Sequence, residues 1–122
     1  FCLIHNKFIP HDDVKHYYAA SDLVVLPYKR IYQSGVLMMS LSYEKAVLVS
    51  DLEPLTDLIK DNDTGFVFRS EDDYSLSSKL NNILSDKENL DNISKKGLEL
   101  IKKKYDWLEV GKQTKKSYQS IL

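Results

Sequence analysis

The chain is poor in the residues that build rigid or cross-linked scaffolds. Its 122 residues hold one cysteine, three prolines, four glycines and one tryptophan. With Cys2 alone, neither a disulfide framework nor a cysteine-based zinc cluster can form within it, which fits a reducing compartment. No apolar run approaches the ~18 residues that a membrane span needs. An excess of charge is missing too: 17 Lys and Arg against 18 Asp and Glu leave a net charge of −1. That balance removes any global electrostatic case for nucleic acid as a partner. The three histidines, His5, His11 and His16, have no ligand partners at useful spacing, so no metal is expected.

What is present suits one globular unit: 43% hydrophobic and 29% charged residues, in a chain long enough for a single core. "FCLIH" (1–5) is an apolar run of strand character, expected as a strand over about 2–5. Pro10 and the Asp12-Asp13 pair then mark a helix start. Val14, Tyr17, Tyr18 and Ser21 recur at helical spacing behind it. "DLVVLP" (22–27) is a continuous apolar run stopped by Pro27, as in a strand covered on both faces. A loop over 28–33, a helix from about Ser34 to Glu44 and a strand "AVLVS" (46–50) follow. "EPLTDLIKD" (53–61) reads as a helix, and "GFVF" (65–68) as a fourth strand after an Asn-Asp-Thr-Gly turn. From Ser70, expected as a serine cap ahead of Glu71 and two aspartates, the pattern is helical only. Strands alternating with helices predict an α/β, Rossmann-like, three-layer parallel sheet over 1–69, with a helical tail over 70–122. The chain opens at Phe1, inside a run of strand character, so it is expected to be a piece of a longer polypeptide.

In such sheets ligands sit beyond the carboxyl ends of the strands, where loops lead into helix starts. "YKRIYQSGV" (28–36) occupies such a place. Gly35 has no Cβ, so a ligand can approach its backbone, and Ser34 can cap the helix or bond a ligand oxygen. The N–H groups of Ser34, Gly35 and Val36, with the helix dipole, suit a phosphate or diphosphate. Tyr28, Lys29, Arg30, Tyr32 and Gln33 would surround it. A plain N-cap is the competing reading of Ser-Gly taken alone.

The order of segments resembles the C-terminal domain of retaining, GT-B-fold glycosyltransferases of group 1 (family 4). Tyr18-Ala19-Ala20-Ser21-Asp22, Lys45-Ala46-Val47, Pro54 and Thr64-Gly65 carry the resemblance, which runs from about Phe8 to Phe68. It implies a hexosyl-type transferase taking a nucleotide-sugar donor, such as a UDP- or GDP-sugar, with no cofactor. The acceptor would be a glycan or lipid-linked molecule held by a missing N-terminal domain, in cell-envelope polysaccharide synthesis. The part alone is expected to be inactive. Gln33, Ser34, Gly35, Val36 and Tyr28 would bind the donor diphosphate and sugar, and Phe8, Ile9 and Met39 the nucleoside. No catalytic residue is assigned.

The family's two glutamates would fall on Ile31 and Met39, with seven residues between them. Both carboxylates are absent, as in the subgroup with "QSGV" in the loop. This keeps a second expectation open, a non-catalytic nucleotide-binding or interaction module with an inherited half-fold. The enzyme is expected in the cytoplasm. Peripheral contact with the inner face of the membrane, through the lysines at 102–104 and 115–116, is left open beside their plainer reading as a solvated helix face.

Overall fold

The structure, a computed structural model, describes residues 2–121. Phe1 and Leu122, which open the first apolar run and close the tail, lie outside the described residues. Helix α1 (His11–Ala20) leads to β1 (Leu23–Leu26), α2 (Gly35–Ser42), β2 (Ala46–Ser50), the single turn α3 (Glu53–Thr56) and β3 (Phe66–Phe68). Three helices complete the chain: α4 (Asp73–Ser85), α5 (Lys87–Lys104) and α6 (Trp107–Ile121). The strands form one parallel sheet in the order β1-β2-β3. Alternating strands and helices with a helical tail were expected, and both are present.

β2 lies in the middle and is buried along its whole length. Its alternate side chains feed two cores. Val47 and Val49 pack with Leu37 and Leu41 of α2 and with Leu55, Leu58 and Ile59 around α3. Ala46 and Leu48 pack on the other face with Phe66, Phe68, Ile83 of α4, and Leu90 and Ile93 of α5. Covering both faces explains why the strands read as unbroken apolar runs rather than alternating ones. Each of the Val, Leu, Ile and Phe side chains among them adds about 1.5–3 kcal/mol of burial.

Two glycines set how close the layers come. A Cβ on Gly65 would meet Ile59 Cγ2 at 2.7 Å, Val47 Cγ2 at 2.9 Å and the Val47 carbonyl at 3.2 Å. One on Gly97 would meet Leu41 Cδ2 at 2.8 Å and the Thr64 carbonyl at 3.3 Å, so α5 crosses α2 at a glycine.

Three expectations need correction. Residues 2–5 are not a strand, and the sheet has three strands among the described residues, not four. A strand exists through its ladder, and this run has no partner strand; Leu3 and Ile4 are exposed, and His5 Nδ1 lies 2.9 Å from the Tyr17 hydroxyl of α1. The helix expected over 53–61 stops at Thr56 as a regular element. Beyond it the Lys60 N–H donates to Thr64 Oγ1 at 2.9 Å, turning the chain toward β3. Finally, α4 is capped by Asp72 rather than Ser70: Asp72 Oδ1 accepts from the Ser75 N–H at 2.8 Å. Glu71, in the left-handed region at φ 59°, reverses the chain just before that cap.

The tail is unevenly packed. α5 buries Leu90, Ile93, Ser94 and Gly97, whereas α6 has no buried residue and exposes Trp107, Leu108, Tyr118 and Ile121. Among the described residues no helix is long and apolar enough to cross a membrane.

Candidate functional site

The carboxyl ends of all three strands are tied together by side chains. The buried Ser50 hydroxyl, closing β2, donates to the Tyr28 carbonyl just after β1 at 2.8 Å. The Ser70 hydroxyl, just after β3, donates to the same carbonyl at 3.2 Å. Asp51 Oδ1 accepts from the Ser70 N–H at 2.8 Å. The loop leaving β1 therefore departs from a fixed point.

That loop ends at the start of α2. Ser34 is the N-cap in extended conformation, and its Oγ accepts from the Leu37 N–H at 3.0 Å. Its carbonyl accepts from the Met38 N–H at 3.3 Å. These two bonds use the third and fourth N–H groups of the helix. Those of Gly35 and Val36 lie ahead of any intrahelical acceptor and are left for solvent or a ligand. Gly35 is not in the left-handed region, and a Cβ there would meet nothing within 4 Å. Neither the turn nor packing calls for a glycine at this position.

A cleft of about 640 Å³ opens at this helix start, a size ordinary for small-molecule sites. Tyr32, Gln33, Ser34 and Gly35 form one wall, with Leu37 and Met38 beneath. Glu53, Pro54, Asp57 and Leu58 line it from the α3 side, and Lys104 and Tyr105 from the end of α5. Lys104 Nζ stands 5.8 Å from the centre of the Tyr105 ring.

Of the residues singled out in the sequence, Tyr32, Gln33, Ser34 and Gly35 come together in this cleft, whose lining does not include Lys29 or Arg30. Val36 and Met39 are partly exposed on another face of α2, at 44% and 39%. Tyr28 packs against the core and presents its carbonyl to the two serines. Phe8 and Ile9 precede α1, outside the cleft lining, with Phe8 at 87% exposure. Ile31, where the first family glutamate was expected to fall, is partly buried and packs against the core cluster that contains Leu26 and Leu37. Sequence reasoning did not single out Glu53, Asp57, Lys104 or Tyr105 for this place. The last two arrive from 70 and 71 residues beyond Ser34, and no local pattern carries that proximity. Among the described residues no group of His, Cys, Asp and Glu is arranged to hold a metal ion.

The family model for glycosyl transferases group 1 matches residues 3–100. The chain belongs to that family. No curated protein sequence matches it significantly. Among solved structures, this group 1 chain is similar to sucrose-phosphate synthase from Thermosynechococcus elongatus, with TM-score 0.83 and 21% identity over 93% of this chain and 28% of that one. It is also similar to HepE from Anabaena in complex with UDP, with TM-score 0.82 and 17% identity over 88% and 30%. A third is the C-terminal domain of LpcC, a glycosyl transferase group 1 family protein from Francisella tularensis, with TM-score 0.74 and 20% identity over 83% and 52%. At these identities the likeness establishes the fold. The chain spans less than a third of the first two of these chains and about half of the LpcC C-terminal domain.

Proposed function

We propose that the chain is the donor-binding part of a retaining glycosyltransferase of family 4, of the Gln-Ser-Gly-Val type. It would serve transfer of a hexosyl unit from a UDP- or GDP-sugar to a glycan or lipid-linked acceptor, in cell-envelope polysaccharide synthesis. The acceptor belongs to a separate N-terminal domain, and the reaction to the cytoplasmic side of the membrane. The observation that carries this reading is the start of α2: the N–H groups of Gly35 and Val36 have no intrahelical acceptor, and Ser34 and Gly35 line an open cleft in a group 1 chain.

The chemistry follows from charge. Breaking the bond between sugar and diphosphate leaves negative charge on the departing phosphate oxygens. Two preorganised N–H groups and the positive end of α2 stabilise that charge without having to reorganise. Gln33 adds amide donors beside them, and Tyr28 anchors the loop through its carbonyl. Met39, one turn beyond Val36, borders the nucleoside together with Phe8 and Ile9 ahead of α1.

One observation favours a second reading. Ile31 is a packing residue and Met39 an apolar one, so both carboxylate positions of the family are filled by side chains that cannot bond a sugar or ribose. A nucleotide-binding or interaction module that has lost catalysis would look the same. Transfer of sugar by this chain joined to an acceptor domain separates the two.

The donor site itself is tested by titrating UDP and GDP into the chain and into Gly35→Val, following backbone amide shifts. Weak binding with shifts at Gly35 and Val36 is expected for the parent, and its loss in Gly35→Val. If Gly35→Val binds as well as the parent, the helix start is only a cap.

A further inference from the structure

Helix α6 is well made as a helix but takes no part in the core. Asp106 caps its start, Oδ1 accepting from the Leu108 N–H at 2.6 Å, and Lys112 pairs with Glu109 along its side at 3.3 Å. None of its residues is buried, and among the described residues no other helix or strand packs along it. At roughly 3.6 residues per turn, Trp107, Gly111, Thr114, Tyr118 and Ile121 fall in one stripe, bordered by Leu108 on one side and Val110 on the other. Trp107, Leu108, Tyr118 and Ile121 are between 68% and 87% exposed. Single apolar residues scattered over a surface need no partner, but four gathered on one helix face do. A solvated lysine face accounts for the opposite side of α6 and leaves this one unexplained.

Charge is segregated in the same place. Residues 102–121 hold six lysines, all exposed, against Asp106 and Glu109, while the other residues hold 11 basic and 16 acidic side chains. A stretch of net charge +4 therefore stands on a body of −5. Lys112 and Lys115 follow Leu108 along the border of the stripe, where their stems can lie on an apolar surface while the ammonium groups reach outward. A second copy fits this face poorly. Gly111 and Thr114 leave the middle of the stripe shallow, and pairing would bring two +4 stretches together. An anionic lipid surface fits both halves of the pattern, with Trp107 and Tyr118 suited to the headgroup boundary. We propose that α6 lies flat on an anionic membrane, its apolar stripe at the boundary of headgroups and acyl chains and its lysines on the lipid phosphates. This holds whether or not the start of α2 binds a diphosphate.

The test is co-sedimentation of the chain with vesicles of phosphatidylcholine and phosphatidylglycerol in equal parts, and with vesicles of phosphatidylcholine alone. The chain should bind the anionic vesicles at low salt, roughly tenfold more weakly at high salt, and roughly tenfold more weakly still to the neutral ones. Two variants divide the contributions: Trp107→Ala with Leu108→Ala, and Lys112→Gln with Lys115→Gln and Lys116→Gln. Each should weaken binding by about tenfold or more. Their denaturation midpoints should match the parent's, because none of these side chains is buried. The proposal is overturned if the anionic vesicles do not bind the chain, or if either variant binds them as the parent does. Binding that needs the lysines alone is charge attraction without an inserted face. A dimer in sedimentation velocity that Trp107→Ala with Leu108→Ala dissolves would assign the stripe to a second copy instead. Loss of vesicle binding when the chain is joined to an acceptor domain would assign it to that domain, and either result also overturns the proposal.

Discussion

The Ser50 hydroxyl reaches the Tyr28 carbonyl at 2.8 Å across 22 positions of sequence, binding the end of β2 to the loop that leaves β1. Ser50 is fully buried, so its only way to satisfy the hydroxyl is this bond. Ser50→Ala should lower stability by about 1 kcal/mol, not more, because Ser70 continues to donate to the same carbonyl. Chemical denaturation of Ser50→Ala, Ser70→Ala and the double variant checks this. The double variant should lose more than the sum of the two, since it leaves the Tyr28 carbonyl without a partner.

The two residues at the start of α2 should respond in opposite directions. Ser34→Ala removes the bond to the Leu37 N–H and should cost about 1 kcal/mol. Gly35→Ala should leave stability unchanged or raise it by up to about 1 kcal/mol, because its Cβ meets open space at an ordinary φ. Melting curves of both variants decide it. A destabilised Gly35→Ala would mean that the glycine serves the fold rather than a ligand.

Gly65 and Gly97 should behave otherwise. Alanine at Gly65 pushes against a backbone carbonyl and two side chains of the core, and should cost about 1–3 kcal/mol. Alanine at Gly97 meets chiefly the end of the Leu41 side chain and should cost less. Trimming the obstacle with Leu41→Val should recover part of the loss at Gly97 and none of it at Gly65, as measured by denaturation midpoints.

Asp61 holds the turn into β3 from two sides, accepting from the Val67 N–H at 2.8 Å and from Lys79 Nζ at 2.6 Å. Asp61→Ala should cost about 1–2 kcal/mol through the lost acceptor for a strand N–H. Lys79→Ala should cost under about 1 kcal/mol and depend on salt, because the pair is partly exposed. Thermal melts at low and high salt separate the two contributions.

The strands at β1, β2 and β3 were legible because each is a short apolar run bounded by turn residues. "FCLIH" has the same local character, yet residues 2–5 form no ladder, and pairing is not written into a segment by itself. The end of α3 was hidden for a similar reason. Leu58 and Ile59 are buried as a longer helix would bury them, but Thr64 captures the Lys60 N–H from four residues ahead. Ser70 looked like a cap because it precedes acidic residues; its hydroxyl is instead committed to Tyr28, a contact 42 residues distant. In the cleft, Ser34 and Gly35 were readable from the strand-loop-helix order. Glu53, Asp57, Lys104 and Tyr105 were not, since their approach depends on how α3 and α5 pack against α2.

Trp107, at the start of α6, is the only tryptophan in the chain and is 87% exposed. Its emission is therefore already that of a water-surrounded indole in the folded state. Unfolding the sheet should barely change that signal, so fluorescence will under-report denaturation, and circular dichroism or amide shifts have to carry the stability measurements above. The same silence is useful in the opposite direction. A blue shift of tryptophan emission reports one event only, the covering of α6 by something else.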